Sequence, residues 1–209
     1  LDTGAYMGIW ACMYACFDKN RMVYAVDPSP NNVKKHTCIH KNINSTAALF
    51  SNEIGSIQKK SGGFTWDRSI KKKGNVIMTT VDTYFTGITF GFMHLDVEGF
   101  ELKVLQGAVS TIERHRPVIT VESHIKNVML TADLIRFLYG LRYLVFVVHE
   151  ICGLANSCRN FICIPMESKE NFHGSSTMDL SIRSNILTKV NSTSVFHYKS
   201  NAKLHAWKD

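Results

Sequence analysis

The stretch from Met93 to Ala108, MHLDVEGFELKVLQGA, constrains this chain more than any other. Phe92 to Val97 is a short apolar run of the kind that forms a strand buried on both faces. From Phe100 the apolar period changes. Leu102, Val104, Leu105, Ala108, Val109 and Ile112 recur at helical spacing. Between the two patterns lie Asp96 and Glu98, then Gly99. A buried strand therefore ends, two carboxylates follow its carboxyl end, and a glycine turns the chain into a helix. In open α/β sheets that edge is where ligands bind. Glu98 and Glu101 also have a structural explanation, since acidic groups stabilise a helix N-terminus. Asp96, directly behind His94-Leu95, does not, which marks it as a functional candidate.

The start of the chain carries a matching unit. In LDTGAYMG, Leu1 and Asp2 are the last residues of a strand, Gly4 and Gly8 bracket a tight loop, and Ile9 to Phe17 has an apolar face at helical spacing. Met22 to Val26 (MVYAV) is the next strand, ending in Asp27 and stopped by Pro28-Ser29-Pro30. An acidic residue at the second strand's tip, about 20 residues past a glycine loop, is placed to accept hydrogen bonds from ribose hydroxyls. Pyrophosphate binding calls for three glycines in a GxGxxG loop, whereas this loop reads GAYMG. That favours S-adenosylmethionine (SAM), which has no phosphate, over NAD, and leaves Asp2 for the methionine end. Asn31 to Asn42 reads as a polar helix whose lysines and two histidines form a solvated face.

Further strands are expected at Ala47 to Ser51, Val76 to Val81, Val118 to Val121, Tyr143 to Val148 and Asn160 to Ile164, with a helix from Val128 to Tyr139. Glu122 and His124 follow the Val118 strand as Asp96 follows its own. Asp96, Glu98, Glu122 and His124 then converge from neighbouring strand ends. They can supply a general base, drawn from Asp96, Glu98 and His124, or a Mg²⁺ site from Asp96, Glu98 and Glu122, or both. These patterns make an α/β fold with a doubly wound, mostly parallel sheet over residues 1–165. Residues 166–209 are polar and read as a loosely ordered extension.

Composition limits the partners. Of 209 residues 45% are hydrophobic, enough for a sizeable core, and the formal charge is +7. A basic chain permits nucleic acid, but the densest run, Lys71 to Lys73, reads as a solvated loop. Six cysteines occur without a CxxC pair. Reduced thiols are the expectation, with a Cys152–Cys158 bridge as the secretory alternative. Asn44-Ser45-Thr46 and Asn191-Ser192-Thr193 match the glycosylation pattern, which also arises by chance. No signal peptide or long apolar span is present, which makes a cytoplasmic location the default. The chain reads as a fragment whose first strand is truncated at its N-terminal side.

The blocks LDTGAYMG, AVDPSP, TTVDTYF, HLDVEGFELKVLQGA and PVITVESH follow one another as in FkbM-type SAM-dependent methyltransferases, which this chain resembles from about Leu1 to Pro165. The resemblance implies a Rossmann-like class I methyltransferase sheet with a C-terminal hairpin that adds an antiparallel strand. It implies O-methylation of a sugar or small-metabolite hydroxyl, so a small-molecule or glycan acceptor. Asp2, Gly4, Ala5 and Gly8 would form the SAM loop, Asp27 would hold the ribose, and Asp96 and Glu98 would lie beside the methyl group. Two positions depart from the pattern: Asp27 stands where Glu is usual, and Asn52 stands where an acidic residue often is. The rival functions are an RNA-modifying methyltransferase, an NAD-binding oxidoreductase and a module that binds without catalysis.

Overall fold

The computed structural model describes residues 1–36, 40–57, 76–124, 128–149, 158–168 and 187–190, with the backbone alone at His124 and Thr188. The first unit is β1 (Asp2–Thr3), α1 (Ile9–Phe17), β2 (Val23–Asp27), a short α2 (Pro30–Val33) and β3 (Ile43–Ala47). A small excursion follows: β4 (Leu49–Phe50), β5 (Gly55–Ile57), β6 (Val76–Thr79) and α3 (Val81–Tyr84). Then come β7 (Phe92–Leu95), α4 (Glu101–Gln106), α5 (Val109–His115), β8 (Val118–His124), α6 (Val128–Gly140), β9 (Tyr143–Val148), β10 (Cys158–Pro165) and β11 (Leu187–Val190).

Eight of these strands form one sheet in the order β11-β9-β10-β8-β7-β1-β2-β3. The run β8-β7-β1-β2-β3 is parallel throughout. β10 returns antiparallel between β8 and β9, and β11 pairs antiparallel with β9. Thus the fold is α/β with a mostly parallel central sheet. From β1 the chain winds outward through β2 and β3 in one direction. From β7 it winds through β8 in the other. The right-handed crossovers that parallel strands require then put α1 and the α4–α5 pair on opposite faces. The reversal lies between β1 and β7, and it opens a crevice at their carboxyl ends.

The core gathers where the strands are buried on both faces. Met93 and Leu95 of β7 and Ile119 and Val121 of β8 are fully buried, under Val104, Leu105 and Ile112 of α4 and α5 and Leu138 of α6. Each such side chain contributes about 1.5–3 kcal/mol of hydrophobic stabilisation.

Four expectations are corrected. The third strand of the sheet is Ile43–Ala47 rather than 47–51, and Leu49–Phe50 belongs to a separate three-stranded sheet. INSTA is a polar edge strand, half-buried at most, so it lacks the apolar run that betrays a central one. The helix expected from Asn31 shrinks to four residues among those described, capped by Ser29, whose hydroxyl accepts from the Asn32 N–H. The helix expected from Phe100 to Arg116 is two, broken at Gly107. A Cβ there would sit 2.0 Å from the Ser51 carbonyl oxygen, so glycine allows that backbone to approach. Asp82 then caps α5, accepting from the N–H groups of Ser110 at 2.9 Å and Thr111 at 2.8 Å. Finally, Leu187–Val190, part of the segment read as a loose extension, is a strand of the main sheet, and Val190 is fully buried in the core. The Tyr139 hydroxyl donates to its carbonyl.

Cys16 and Cys163 are free thiols as expected and Cys12 is in no disulfide, but Cys158 is disulfide-bonded. Lys71 to Lys73, Cys152 and the second glycosylation pattern lie outside the described residues. Among the described residues no helix is long and apolar enough to cross a membrane.

Candidate active site

The glycine loop is held down by β2. The N–H groups of Gly4 and Ala5 both donate to the Val26 carbonyl, at 2.9 and 3.0 Å, and the Tyr6 N–H donates to Asp27 Oδ2 at 2.9 Å. Asp27 is buried, and its other oxygen accepts from the Ser29 N–H at 2.8 Å and the Asn32 amide at 3.0 Å. One carboxylate therefore fixes the tip of β2, the start of α2 and the loop after β1.

On the far side of the crevice the chain leaves β7 through Asp96, whose N–H donates to the Thr3 carbonyl at 3.0 Å. Gly4 and Asp96 meet so closely that a Cβ on Gly4 would lie 1.6 Å from the Asp96 carbonyl oxygen. Glu98 then adopts a left-handed backbone, φ 54°, followed by Gly99 at φ 95°. Tyr6 in the opposite loop is also left-handed, φ 48°. Non-glycine residues in this region carry strain of about 1 kcal/mol or more, and such strain concentrates at functional sites. Glu101 holds the Glu98 turn: its buried carboxyl accepts from the N–H groups of Val97 at 3.2 Å and Gly99 at 2.9 Å. Burial raises the Glu101 pKa, opposed by those hydrogen bonds. The acidic residue read as a helix-dipole partner is thus also the clamp on the DVEG turn.

Between the two loops lies a cavity of about 430 Å³ lined by Gly4, Tyr6, Asp27, Pro28, Ser29, Asn32, Leu49, Asp96, Val97, Glu98 and Phe100. Asp27, Asp96 and Glu98 are the charged residues of this lining among the described residues, which include no lysine, arginine or histidine there. Such a wall suits a ligand that is neutral or cationic where it touches and carries hydroxyl donors. It disfavours a pyrophosphate.

Of the residues singled out in the sequence, Gly4, Asp27, Asp96 and Glu98 come together around this cavity. Ala5 is buried with Ala11 and Ala15 behind the loop, and Gly8 starts α1 at φ 78° with its Cα against the His36 ring; neither lines the cavity. Asp2 does not line it either. It lies fully buried beneath the loop with Oδ1 2.8 Å from His94 Nδ1. His124 closes β8 opposite Cys158, and its side chain lies outside the described residues. Asn52, at the position where an acidic residue is usual, bonds Gln106 at 3.1 Å away from the cavity. Tyr6, Ser29, Asn32 and Phe100 line the cavity without having stood out in the sequence. The GAYMG loop, the Pro28-Ser29-Pro30 strand stop and the change of period at Phe100 pointed near them.

Glu122 comes to the same edge through strand register. Leu95 pairs with Val121 across β7 and β8, so the next residues, Asp96 and Glu122, stand side by side. Burial, a hydrogen bond to Asp96, and the charges of Asp96, Glu98 and Glu101 push the Glu122 carboxyl from its ordinary 4.5 up to about 8. Among the described residues no group of three or more His, Cys, Asp or Glu side chains is arranged to hold a metal ion. The Asp96, Glu98, Glu122 set raised as a possible Mg²⁺ site is not among such groups.

The raised carboxyl has a measurable consequence. Between about pH 4.5 and 8 the native state keeps a Glu122 proton that the unfolded chain has lost. Stability from this group is therefore complete below 4.5 and falls away as pH rises through 8. Glu122→Gln, which mimics the protonated acid, is expected to stabilise the protein at pH 8.5 by about 1–3 kcal/mol, the half-exposed site being screened by solvent, and to be neutral at about pH 4. Thermal melts across that range check this. Wild-type and variant curves running parallel would refute the shared proton.

The profile of the Methyltransferase FkbM domain family matches residues 2–147, which covers both loops, the cavity and the Asp96–Glu122 pair. The chain belongs to the FkbM methyltransferase family. A crystal structure of methyltransferase FkbM from Methylobacillus flagellatus KT superposes on this FkbM-family chain with a TM-score of 0.55 at 16% identity. The superposition covers 78% of this chain and 42% of that one, so the present chain spans less than half the bacterial protein's length. At this identity the likeness is one of fold. No curated protein matches the chain's sequence significantly.

Proposed function

We propose that this FkbM-family chain uses SAM to methylate a hydroxyl oxygen of a sugar or small metabolite. The observation that carries the reading is that Asp27 and the Asp96-Val97-Glu98 turn line one cavity together with Gly4. The residues fit an adenosyl group. A backbone cradle without a side chain lies at Gly4, a buried carboxylate stands at the end of β2, and Asp96 and Glu98 in the same lining would suit a sulfonium charge.

Bound there, SAM supplies a methyl group already activated on a sulfonium. The protein's part is placement and proton transfer. Asp27 accepts from the ribose hydroxyls, while Gly4 lets the backbone approach. Asp96 and Glu98 hold the acceptor hydroxyl in line, a contribution of up to roughly 7–11 kcal/mol for ideal geometry. Asp96, Glu98 or His124 takes the acceptor's proton, worth a factor of about 10²–10⁴. The methyltransferase unit is taken as residues 1–165, to which β11 adds an edge strand.

Calorimetric titration of the protein with SAM, S-adenosylhomocysteine and NADH tests this. Saturable binding of the first two and none of NADH is expected. NADH binding without SAM binding would transfer the cavity to the oxidoreductase reading.

A further inference from the structure

The lysines and two histidines of Asn31 to Asn42 are expected to form a solvated face, yet His36 is engaged on both ring nitrogens. His36 Nε2 lies 2.7 Å from the Tyr6 carbonyl oxygen, and Nδ1 lies 3.0 Å from Ser45 Oγ on β3. A carbonyl only accepts, so Nε2 carries the hydrogen. In the neutral ring Nδ1 then accepts from the Ser45 hydroxyl, which sets the ring's orientation. The same ring packs under Gly8, where a Cβ would come within 3.1–3.3 Å of its atoms.

Tyr6 is therefore gripped at both ends of its backbone unit. Its N–H is bound to Asp27 and its C=O to His36. This is the residue whose left-handed backbone, φ 48°, needs surrounding structure to hold it. It also lines the cavity. Asp27, itself part of the cavity lining, holds the N–H side. His36 holds the carbonyl side from the turn after α2, with Ser45 of β3 behind it.

We propose that His36, braced by Ser45, is a positioning residue that locks the Tyr6 loop in its ligand-binding shape. This rests on the cavity being the SAM site only for its effect on affinity. The lock itself is readable in the ligand-free protein. His36→Phe keeps a ring under Gly8 but removes both hydrogen bonds. His36→Gln keeps a donor for the Tyr6 carbonyl and an acceptor for Ser45.

Two measurements are made on wild type and both variants: amide hydrogen exchange across residues 4–8 without ligand, and the Kd for SAM. His36→Phe is expected to speed exchange in this loop about tenfold and to weaken SAM binding about tenfold, with the melting temperature little changed. His36→Gln is expected to recover most of both. Unchanged exchange in His36→Phe overturns the lock whatever SAM does. Faster exchange with unchanged SAM affinity overturns the positioning role. Failure of the wild type itself to bind SAM refutes the cofactor assignment instead, and exchange still decides the lock.

Discussion

Gly4→Ala is expected to cost about 3–5 kcal/mol, a large share of the roughly 5–15 kcal/mol that holds a domain folded. Two effects add. The backbone at Gly4 has φ 83°, where an L side chain costs about 1–2 kcal/mol. The new Cβ would also lie 1.6 Å from the carbonyl oxygen and 2.6 Å from the carbonyl carbon of Asp96. Both partners are backbone, so no rotamer change relieves the overlap. β1 and β7 must part at the crevice, and the Asp96 turn moves with them. Gly87→Ala is the control: its φ is 81° but a Cβ there meets nothing within 4 Å. It isolates the conformational cost, about 1 kcal/mol. Urea unfolding of both variants gives the comparison. Equal destabilisation would mean that the Gly4–Asp96 approach is not what the glycine is there for.

Asp27→Ala is expected to weaken SAM binding about 100-fold or more, since each hydrogen bond to a charged acceptor is worth about 1.5–3 kcal/mol. The loss has two sources. The ribose loses its acceptor, and the Tyr6 and Ser29 N–H groups and the Asn32 amide lose theirs. Asp27→Asn separates them. It keeps one acceptor oxygen in nearly the same volume, so the loops stay closer to their places while the charge is gone. Asn is expected to fall between wild type and Ala in SAM affinity and to retain more thermal stability than Ala. Calorimetry checks both, and unchanged SAM affinity in Asp27→Ala would remove the ribose role altogether.

Much of the fold was legible because its central strands are continuously apolar. Tyr143–Val148 appears where periodicity puts it, and β2, β7, β8 and β10 differ from expectation only at their ends. The edges were not legible. β3 is polar because one side of it faces water, and β11 is a short LTKV segment in a polar tail whose place depends on pairing with β9. Local pattern carries no record of a partner strand that is distant in sequence. The break at Gly107 likewise depends on where Ser51 lies.

For the site, residue types and spacing alone determined that a glycine loop, an acidic strand end at Asp27 and an acidic turn at Asp96 and Glu98 belong to the carboxyl-end edge of an α/β sheet. Those signals are local, since each needs only a strand's end and the few residues after it. Only the tertiary structure decided which side chains share the crevice and which are buried under it. Asp2 lies two residues before Gly4 in sequence, yet it is buried against His94 because the register of β1 and β7 sets those two residues side by side. His36 and Glu101 became supports of the two loops, and Glu122 became the neighbour of Asp96, through strand register and turn geometry. The physical reason is that each of these roles is a distance between chain segments, set by how the whole sheet packs.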